Sequence, residues 1–155
     1  MLRNADVTLV FVGALAGAPY VTALEDYVAS MEGEDRVRIE PIQPDTFQWY
    51  HAADVLLCAS DVESLPRSML EAMAFGTPVA STSVFGIPEL ITDGDTGYLC
   101  EPRDLAALRG MLERTVATSR SDLQAMGSAA RELVLRRHHP SIYENYFFDW
   151  LVAQS

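Results

Sequence analysis

The chain has 155 residues, of which 49% are hydrophobic and 21% charged, so it is long and apolar enough to bury the core of one domain. Its formal net charge of −11 argues against a nucleic-acid or anionic-membrane surface, because such partners require a basic stripe that this sequence lacks. All 11 basic residues are arginine. No lysine is therefore available as a Schiff base, a general base or a phosphate ligand.

The cysteines and the hydropathy pattern bear on the compartment. Cys58 and Cys100 each lie in an apolar, strand-like run, which favours buried free thiols in a reducing compartment. A disulfide between them stays open, and their spacing indicates no metal site. The sequence shows no signal-peptide pattern and no apolar stretch of bilayer length. We therefore expect a cytoplasmic protein.

Apolar runs and helical patterns alternate along the first hundred residues. The sequence predicts strands at 7–12, 36–40, 55–59, 79–82 and 98–100, and helices at 18–32, from Asp45 to Tyr50, from Pro66 to about Phe75, and at 88–91. Because successive parallel strands need a crossover helix, this alternation predicts an α/β fold with a doubly wound parallel sheet of about five strands. The first run is continuously apolar, which is typical of a strand buried on both faces.

The chain becomes helical after Pro102, with helices expected from Asp104, from Ser121 and over 141–151. The last of these is strongly aromatic on more than one face. Its large apolar residues are Tyr143, Tyr146, Phe147, Phe148, Trp150 and Leu151. A helix that is apolar nearly all round needs a second surface, so we expect it to contact something outside this chain.

The stretch from Glu63 to Glu71 is the strongest candidate site. Ser64 or Leu65 is expected to cap a helix that has Pro66 in its first turn. A left-handed glycine at position 76, followed by a proline, is expected to end that helix. The two carboxylates then lie on either side of the free N–H groups of residues 65–68. An anionic group is favoured there, because unpaired amides and the positive end of the helix dipole meet at that point.

Other loops are expected near this stretch. Ligands of open α/β folds bind beyond the carboxyl ends of the strands. The loop containing Glu63 follows the strand at 55–59, and loops at Gly13, at Pro41-Ile42 and at Phe85-Gly86-Ile87-Pro88 follow other strands. We therefore expect all these loops to converge on one crevice.

Four runs of the sequence together resemble one family of enzymes. They are Ala53-Asp-Val-Leu-Leu, Ser60-Asp-Val-Glu-Ser-Leu-Pro-Arg-Ser-Met-Leu-Glu-Ala-Met-Ala-Phe-Gly-Thr-Pro-Val, Phe85-Gly-Ile-Pro-Glu and Asp93-Gly-Asp-Thr-Gly. Residues 6 to about 117 resemble the C-terminal, donor-binding half of the retaining GT-B glycosyltransferases. The likeness is to the class with a Glu-x7-Glu motif, glycosyltransferase family four or glycosyl transferases group one. The resemblance implies the Rossmann-like half of a GT-B fold.

The resemblance also implies a role for each matching position. Glu63 and Ser64 would bind the donor sugar, and Glu71 would accept hydrogen bonds from the ribose 2′ and 3′ hydroxyls. The diphosphate would lie against Leu65, Pro66, Arg67 and Ser68. The loops implied at the base or elsewhere in the crevice contain Gly13, Pro41, Ile42, Phe85 and Gly86. The implied ligand is a nucleotide sugar, with no cofactor and no metal.

Two departures from the family pattern affect the expected activity. The family's donor half usually opens with a Gly-Arg-Leu … Lys-Gly segment whose Arg and Lys bind the diphosphate, and this sequence has no match to it. The family's usual Gly-Gly before Ile-Pro-Glu is replaced by Phe85-Gly86. We expect residues 1–155 to be a single donor-binding domain, truncated at its N-terminal side and lacking the acceptor-binding domain. Such a chain would not catalyse transfer alone, since donor and acceptor must be held together. A peripheral membrane position stays open for the full-length enzyme.

Simpler interpretations stand beside these assignments. Glu71 could form only a surface ion pair with Arg67, one helical turn earlier. Asp93-Gly94-Asp95 has the form of a metal-binding Asp-x-Asp, but Asp-Gly at that place favours a turn. His138 and His139 are interpreted as residues of a helix end, and His51 as structural.

A second function class also stays open. In this alternative the chain is a non-catalytic α/β interaction module, its nucleotide crevice is vestigial, and its aromatic C-terminal helix holds a partner.

Overall fold

The computed structural model describes residues 7–142 together with Glu144, Asp149 and Val152. The chain forms two compact units, Met1–Gln48 and Trp49–Ser155. The large apolar residues predicted in the last helix lie outside the described residues. They are Tyr143, Tyr146, Phe147, Phe148, Trp150 and Leu151.

The first unit contains two parallel strands and the helix between them. Strand β1 (Leu9–Ala14) pairs with β2 (Val37–Pro41) in a two-stranded sheet. Helix α1 (Pro19–Ala29) and a 3-10 turn (Glu34–Arg36) connect the strands. The register of the pair shifts at Gly13, which has a φ of +101°. The shift is a β-bulge, and it marks the end of β1 that leads into the loop before α1.

Strand β1 is more exposed than its sequence predicts. Leu9, Phe11 and Val12 are 37%, 38% and 37% exposed. The prediction of a strand buried on both faces is therefore wrong for β1. The reason is that an apolar run indicates doubly buried strands only in a wide sheet, whereas β1 is hydrogen-bonded in a sheet of two strands.

The second unit is built on three parallel strands in the order β3-β4-β5. They are β3 (Leu56–Cys58), β4 (Val79–Thr82) and β5 (Gly97–Cys100). The helices of this unit are the last four residues of α2 (Phe47–Ala52), α3 (Arg67–Ala74), α4 (Ile87–Leu90), α5 (Leu105–Ala117) and α6 (Arg120–Arg137). The predicted α/β class and parallel pairing are confirmed, with the five strands divided between a two-stranded and a three-stranded sheet.

Strand β4 forms the centre of the second unit, because all four of its residues are buried. Val79 belongs to one apolar cluster with Met69 and Met73 of α3. The next residue, Ala80, belongs to another cluster with Met111 of α5. Successive side chains of a strand point to opposite faces, so helices cover both faces of this sheet, as a doubly wound fold requires.

Two of the helices begin at polar caps. Asp104 Oδ1 accepts the N–H groups of Ala106 and Ala107 at 2.9 and 3.0 Å, so α5 begins as predicted. Helix α6 is capped by Ser119 instead of beginning at Ser121, because the Ser119 hydroxyl accepts the N–H of residue 122. No helix among the described residues combines the length and the apolar character needed to cross a membrane.

The end of α3 confirms the predicted stop and explains a close helix contact. Gly76 has a φ of +81°, and its N–H donates to the Met73 carbonyl at 2.9 Å, while Thr77 N–H donates to the Ala72 carbonyl at 2.9 Å. Helix α6 crosses at this point. A Cβ atom on Gly127 would lie 1.9 Å from the Gly76 carbonyl oxygen. The crossing therefore requires glycine at position 127.

Both cysteines are free thiols, as predicted. The predicted burial is confirmed for Cys100, whereas Cys58 is half-buried. Burial raises the pKa of the Cys100 thiol, and the carboxylates of Asp104 and Glu101 raise that pKa further.

The glycine at the helix crossing gives a stability test. We expect Gly127→Ala to lower the free energy of unfolding by about 1–3 kcal/mol, because a methyl group would push the backbones of α6 and Gly76 apart. Gly110→Ala in α5 is the matched control, since a Cβ there meets nothing within 4 Å. It should raise stability by about 0.5–1 kcal/mol through better helix propensity. Urea unfolding measures the free energy of unfolding of both variants. Equal changes in the two would contradict the close contact between α6 and Gly76.

The raised pKa of Cys100 can be tested by comparing the reactivity of the two cysteines. A raised pKa lowers the thiolate fraction at every pH below it, and the thiolate is the reactive form. We expect Cys100 to react with iodoacetamide about tenfold or more slowly than Cys58 in the folded protein at mildly alkaline pH. Mass spectrometry of quenched samples gives both rates. In urea the two rates should converge, and persistence of the difference in urea would rule out burial as its cause.

Candidate functional site

The loop between β3 and α3 lies at the carboxyl edge of the three-stranded sheet and carries the first predicted acid. Two hydrogen bonds anchor this loop to neighbouring segments. Thr82 at the end of β4 donates its hydroxyl to the Ser60 carbonyl at 2.6 Å. Gly86 N–H donates to the Ser64 carbonyl at 3.2 Å. Between these points, half-buried Glu63 accepts the Ser64 N–H on Oε1 at 3.0 Å.

The second unit brings together two of the loops expected in the crevice. A Cβ atom on Gly86 would lie 2.8 Å from the Ser64 carbonyl oxygen, so the two backbones touch. Neighbouring Phe85 is 72% exposed and has a φ of +46°. This is the left-handed conformation, which glycine adopts freely and phenylalanine does not. Phenylalanine thus stands at a position whose backbone conformation suits glycine.

Helix α3 begins one residue later than predicted. Its N-cap is Pro66, with extended angles of −64° and 127° and no side-chain cap. The predictions of a cap at Ser64 or Leu65 and of Pro66 inside the first turn are wrong. The Pro66 carbonyl accepts the first helical hydrogen bond, from Met69 N–H at 3.1 Å, which makes Pro66 the last extended residue. The Ser64 carbonyl is already occupied by its bond from the 86 loop.

This helix start changes which groups can hold an anion. Pro66 has no N–H, so three of the four predicted diphosphate residues can donate one: Leu65, Arg67 and Ser68. The N–H groups of Arg67 and Ser68 belong to the first turn and have no intrahelical acceptor. Their residues are exposed, as is Leu65. The positive end of the α3 dipole adds to the attraction for a negative group.

Glu71 is held from two sides within the second unit. Arg67 Nε lies 3.1 Å from Glu71 Oε1, and the Tyr50 hydroxyl donates to Glu71 Oε2 at 3.0 Å. The ion pair that a simple interpretation of the sequence predicts is therefore present. It is exposed on the arginine side, where the Arg67 side chain is 90% accessible against 27% for Glu71. The predicted site did not include Tyr50.

Helix α2 places Tyr50 beside α3. Tyr50 is 8% exposed, and its carbonyl accepts the buried Thr77 hydroxyl at 2.6 Å. Its ring centroid lies 6.1 Å from that of Phe75, and His51 makes an edge contact with the same phenylalanine at 4.6 Å. The structural role predicted for His51 is thus packing against the end of α3.

The remaining predicted crevice residues lie in the first unit. Gly13 is at the bulge in β1, and Pro41 ends β2. Ile42 is 61% exposed, and its N–H donates to the Ala14 carbonyl at 3.3 Å, which joins the loops that follow β1 and β2.

The Asp93-Gly94-Asp95 segment lies at the opposite edge of the sheet, before β5. Asp93 Oδ1 accepts the Leu99 N–H at 2.9 Å, and Arg114 pairs with the same carboxylate at 3.3 Å. Gly94 has a φ of +82°, which confirms the predicted turn. Within the part of the chain that the structure describes, no three His, Cys, Asp or Glu residues are grouped so that they could hold a metal ion.

Known proteins share both this sequence pattern and this fold. The family described as Glycosyl transferases group 1 matches residues 1–117. N-acetyl-alpha-D-glucosaminyl L-malate synthase of Bacillus anthracis is 34% identical over an alignment of 156 positions, which covers 99% of this chain and 37% of that protein. HepE of Anabaena in complex with UDP has a TM-score of 0.86 at 25% identity, over 98% of this chain and 43% of HepE. The HepE complex with UDP-glucose has a TM-score of 0.84 at the same identity and coverage. The chain thus spans less than half the length of these relatives.

The left-handed backbone at Phe85 gives a stability test. Among the described residues, Phe85 and Arg103 are the non-glycine positions with positive φ. We expect Phe85→Gly to be more stable than Phe85→Ala by about 1 kcal/mol, because alanine retains the strained backbone. Val62, also an exposed loop residue, is the control, and there alanine should be the more stable replacement. Thermal unfolding of Phe85→Gly, Phe85→Ala, Val62→Gly and Val62→Ala measures these differences. If alanine were the more stable replacement at both positions, the backbone at Phe85 would not be strained.

Proposed function

Since this chain belongs to the glycosyl transferases group 1 family, we propose that its residues 49–155 bind the nucleoside diphosphate sugar from which a glycosyl group is transferred. One observation carries the proposal. Along the chain, Glu63 in the preceding loop and Glu71 in the second turn of α3 flank the first-turn amides of that helix. A nucleotide sugar has the matching order of groups, with hydroxyls at each end and a diphosphate in the middle.

Glu71 is proposed to bind the ribose. A vicinal diol offers two O–H donors, and an ionised carboxylate has two oxygens with about four lone-pair directions between them. The contacts from Arg67 and Tyr50 use one direction on each oxygen. Both oxygens therefore keep acceptor capacity for the 2′ and 3′ hydroxyls, through charge-assisted hydrogen bonds.

The diphosphate is proposed to lie at the amides of Leu65, Arg67 and Ser68. Helix N-termini favour phosphate through their free N–H groups and their dipole. The Arg67 guanidinium adds a full positive charge next to them, on a side chain that is 90% accessible. Its exposed pair with Glu71 is weak, worth about 0.3–0.5 kcal/mol, so the guanidinium can turn to a phosphate at little cost.

Glu63 is proposed to accept hydrogen bonds from the donor sugar. Its Oε1 is engaged by Ser64 N–H, which orients the carboxylate. Within the described residues Oε2 contacts no donor, so it can accept a sugar hydroxyl. HepE complexes with UDP and UDP-glucose support a uridine nucleotide as the first donor to test.

The proposal also concerns whether this chain can catalyse transfer by itself. The chain covers 37% of the length of the Bacillus anthracis relative, and transfer requires an acceptor held beside the donor. We propose that residues 1–155 bind a donor without turning it over. Retention of the anomeric configuration and independence of metal are proposed with it, on the resemblance of the Glu63–Glu71 stretch to its family. The two free cysteines support a cytoplasmic location, which is proposed as well.

Calorimetric titration with UDP and UDP-glucose tests the two carboxylates separately. Glu71→Ala should weaken both ligands by about tenfold or more, because it removes charge-assisted hydrogen bonds to the ribose. Glu63→Ala should weaken the binding of UDP-glucose and leave that of UDP unchanged, because UDP lacks the glucosyl group that Glu63 is proposed to bind. Glu113→Ala, which removes an acid paired with Arg109 on α5, should change neither affinity.

Two results would contradict the proposal. One is the absence of saturable binding of either ligand to the unmodified chain. The other is binding that Glu71→Ala leaves unchanged, and this second result would favour a non-catalytic interaction module with a vestigial crevice.

A further inference from the structure

Tyr50 is a nearly buried residue whose one polar side-chain atom reaches the proposed ribose carboxylate. The residue is 8% exposed, yet its hydroxyl donates to Glu71 Oε2 at 3.0 Å. A tyrosine hydroxyl usually finds a hydrogen-bond partner when it is buried. Here that partner is an acid on a different helix, 21 positions later in the sequence.

The surroundings of Tyr50 fix where its hydroxyl lies. Its carbonyl accepts the Thr77 hydroxyl at 2.6 Å, and that threonine is 4% exposed. Its ring lies against Phe75, with 6.1 Å between the centroids. Both contacts tie α2 to the segment that ends α3. The hydroxyl is therefore placed by the core, before any ligand arrives.

The ion pair of Glu71 with Arg67 is exposed, whereas its hydrogen bond with Tyr50 comes from a nearly buried residue. Arg67 approaches Oε1 from solvent, and a solvent-exposed ion pair of this kind exchanges freely. Tyr50 approaches Oε2 from the protein side, where its own position is fixed. The last torsion of a glutamate is broad and weakly restrained by itself. The tyrosine contact thus restrains the plane of the carboxylate, whichever partner Arg67 takes.

We propose that Tyr50 is a positioning residue that holds the Glu71 carboxylate in the orientation needed to bind both ribose hydroxyls. This inference rests on the proposed function of Glu71. Fixing a carboxylate in its bound orientation improves affinity by reducing the entropy lost on binding. Tyr50 itself touches no ligand atom in this arrangement. Its effect passes through Glu71 and concerns recognition of the diol.

The test compares UDP with 2′-deoxy-UDP, which lacks one of the two hydroxyls. We expect the unmodified chain to bind UDP more tightly than the deoxy analogue. Tyr50→Phe removes only the hydroxyl, and it should weaken UDP by about threefold to tenfold. It should weaken the deoxy analogue less, so that the ratio of the two affinities falls. A loss caused only by altered packing would lower both affinities equally and keep the ratio constant.

Tyr98→Phe is the matched control. Tyr98 is also 8% exposed, and its hydroxyl pairs with the Thr118 hydroxyl at 2.7 Å, beside the start of α6. Its replacement makes the same chemical change and should leave both affinities unchanged. Thermal unfolding of both variants verifies that they are folded at the temperature of the titration.

The outcomes separate the two proposals. If the unmodified chain fails to bind UDP, the proposed function and this inference are both overturned. If UDP binds and Glu71→Ala weakens it, the proposed function stands. The inference is then overturned by a Tyr50→Phe variant that binds like the unmodified chain, or that weakens both nucleotides by the same factor.

Discussion

The second unit depends on the burial of β4 from both sides. Val79 contacts the cluster that includes α3, and Ala80 contacts the cluster that includes α5, so one short strand carries both halves of the core. Fully burying each large apolar side chain in those clusters is worth about 1.5–3 kcal/mol. Because α3 is held on this sheet by Met69 and Met73, its amino end is held at the carboxyl edge. The placement of the candidate site is thus a consequence of core packing.

Local signals in the sequence predicted the features that short segments determine. The stop of α3 at Gly76 and the start of α5 at Asp104 are examples, since a left-handed glycine and an acidic cap act within a few residues. The start of α3 was misplaced by one residue because the Ser64 carbonyl bonds with Gly86, far along the chain. The exposure of β1 was missed because an apolar run does not reveal how many strands a sheet has.

Tyr50, which the sequence analysis did not include in the candidate site, was missed because it lies far from Glu71 along the chain. Glu63 and Glu71 stand out because their spacing around a helix start is visible in one stretch. Tyr50 lies in a different helix, and no periodicity or spacing connects it with Glu71. Only the fold brings the hydroxyl and the carboxylate to 3.0 Å. The Arg67–Glu71 ion pair, one helical turn apart, shows the opposite case, because helical spacing alone predicts it.

The two anchors of the loop between β3 and α3 link folding to ligand recognition. Thr82 holds Ser60 and Gly86 holds Ser64, so the backbone around Glu63 is ordered when the protein folds. Ordering one residue of a free loop costs about 1–2 kcal/mol, and here that entropy is lost during folding and not during binding. The free chain therefore already populates the loop conformation that a ligand would meet. If Glu63 binds the donor sugar as proposed, the association rate should therefore not be limited by a slow closing step of this loop.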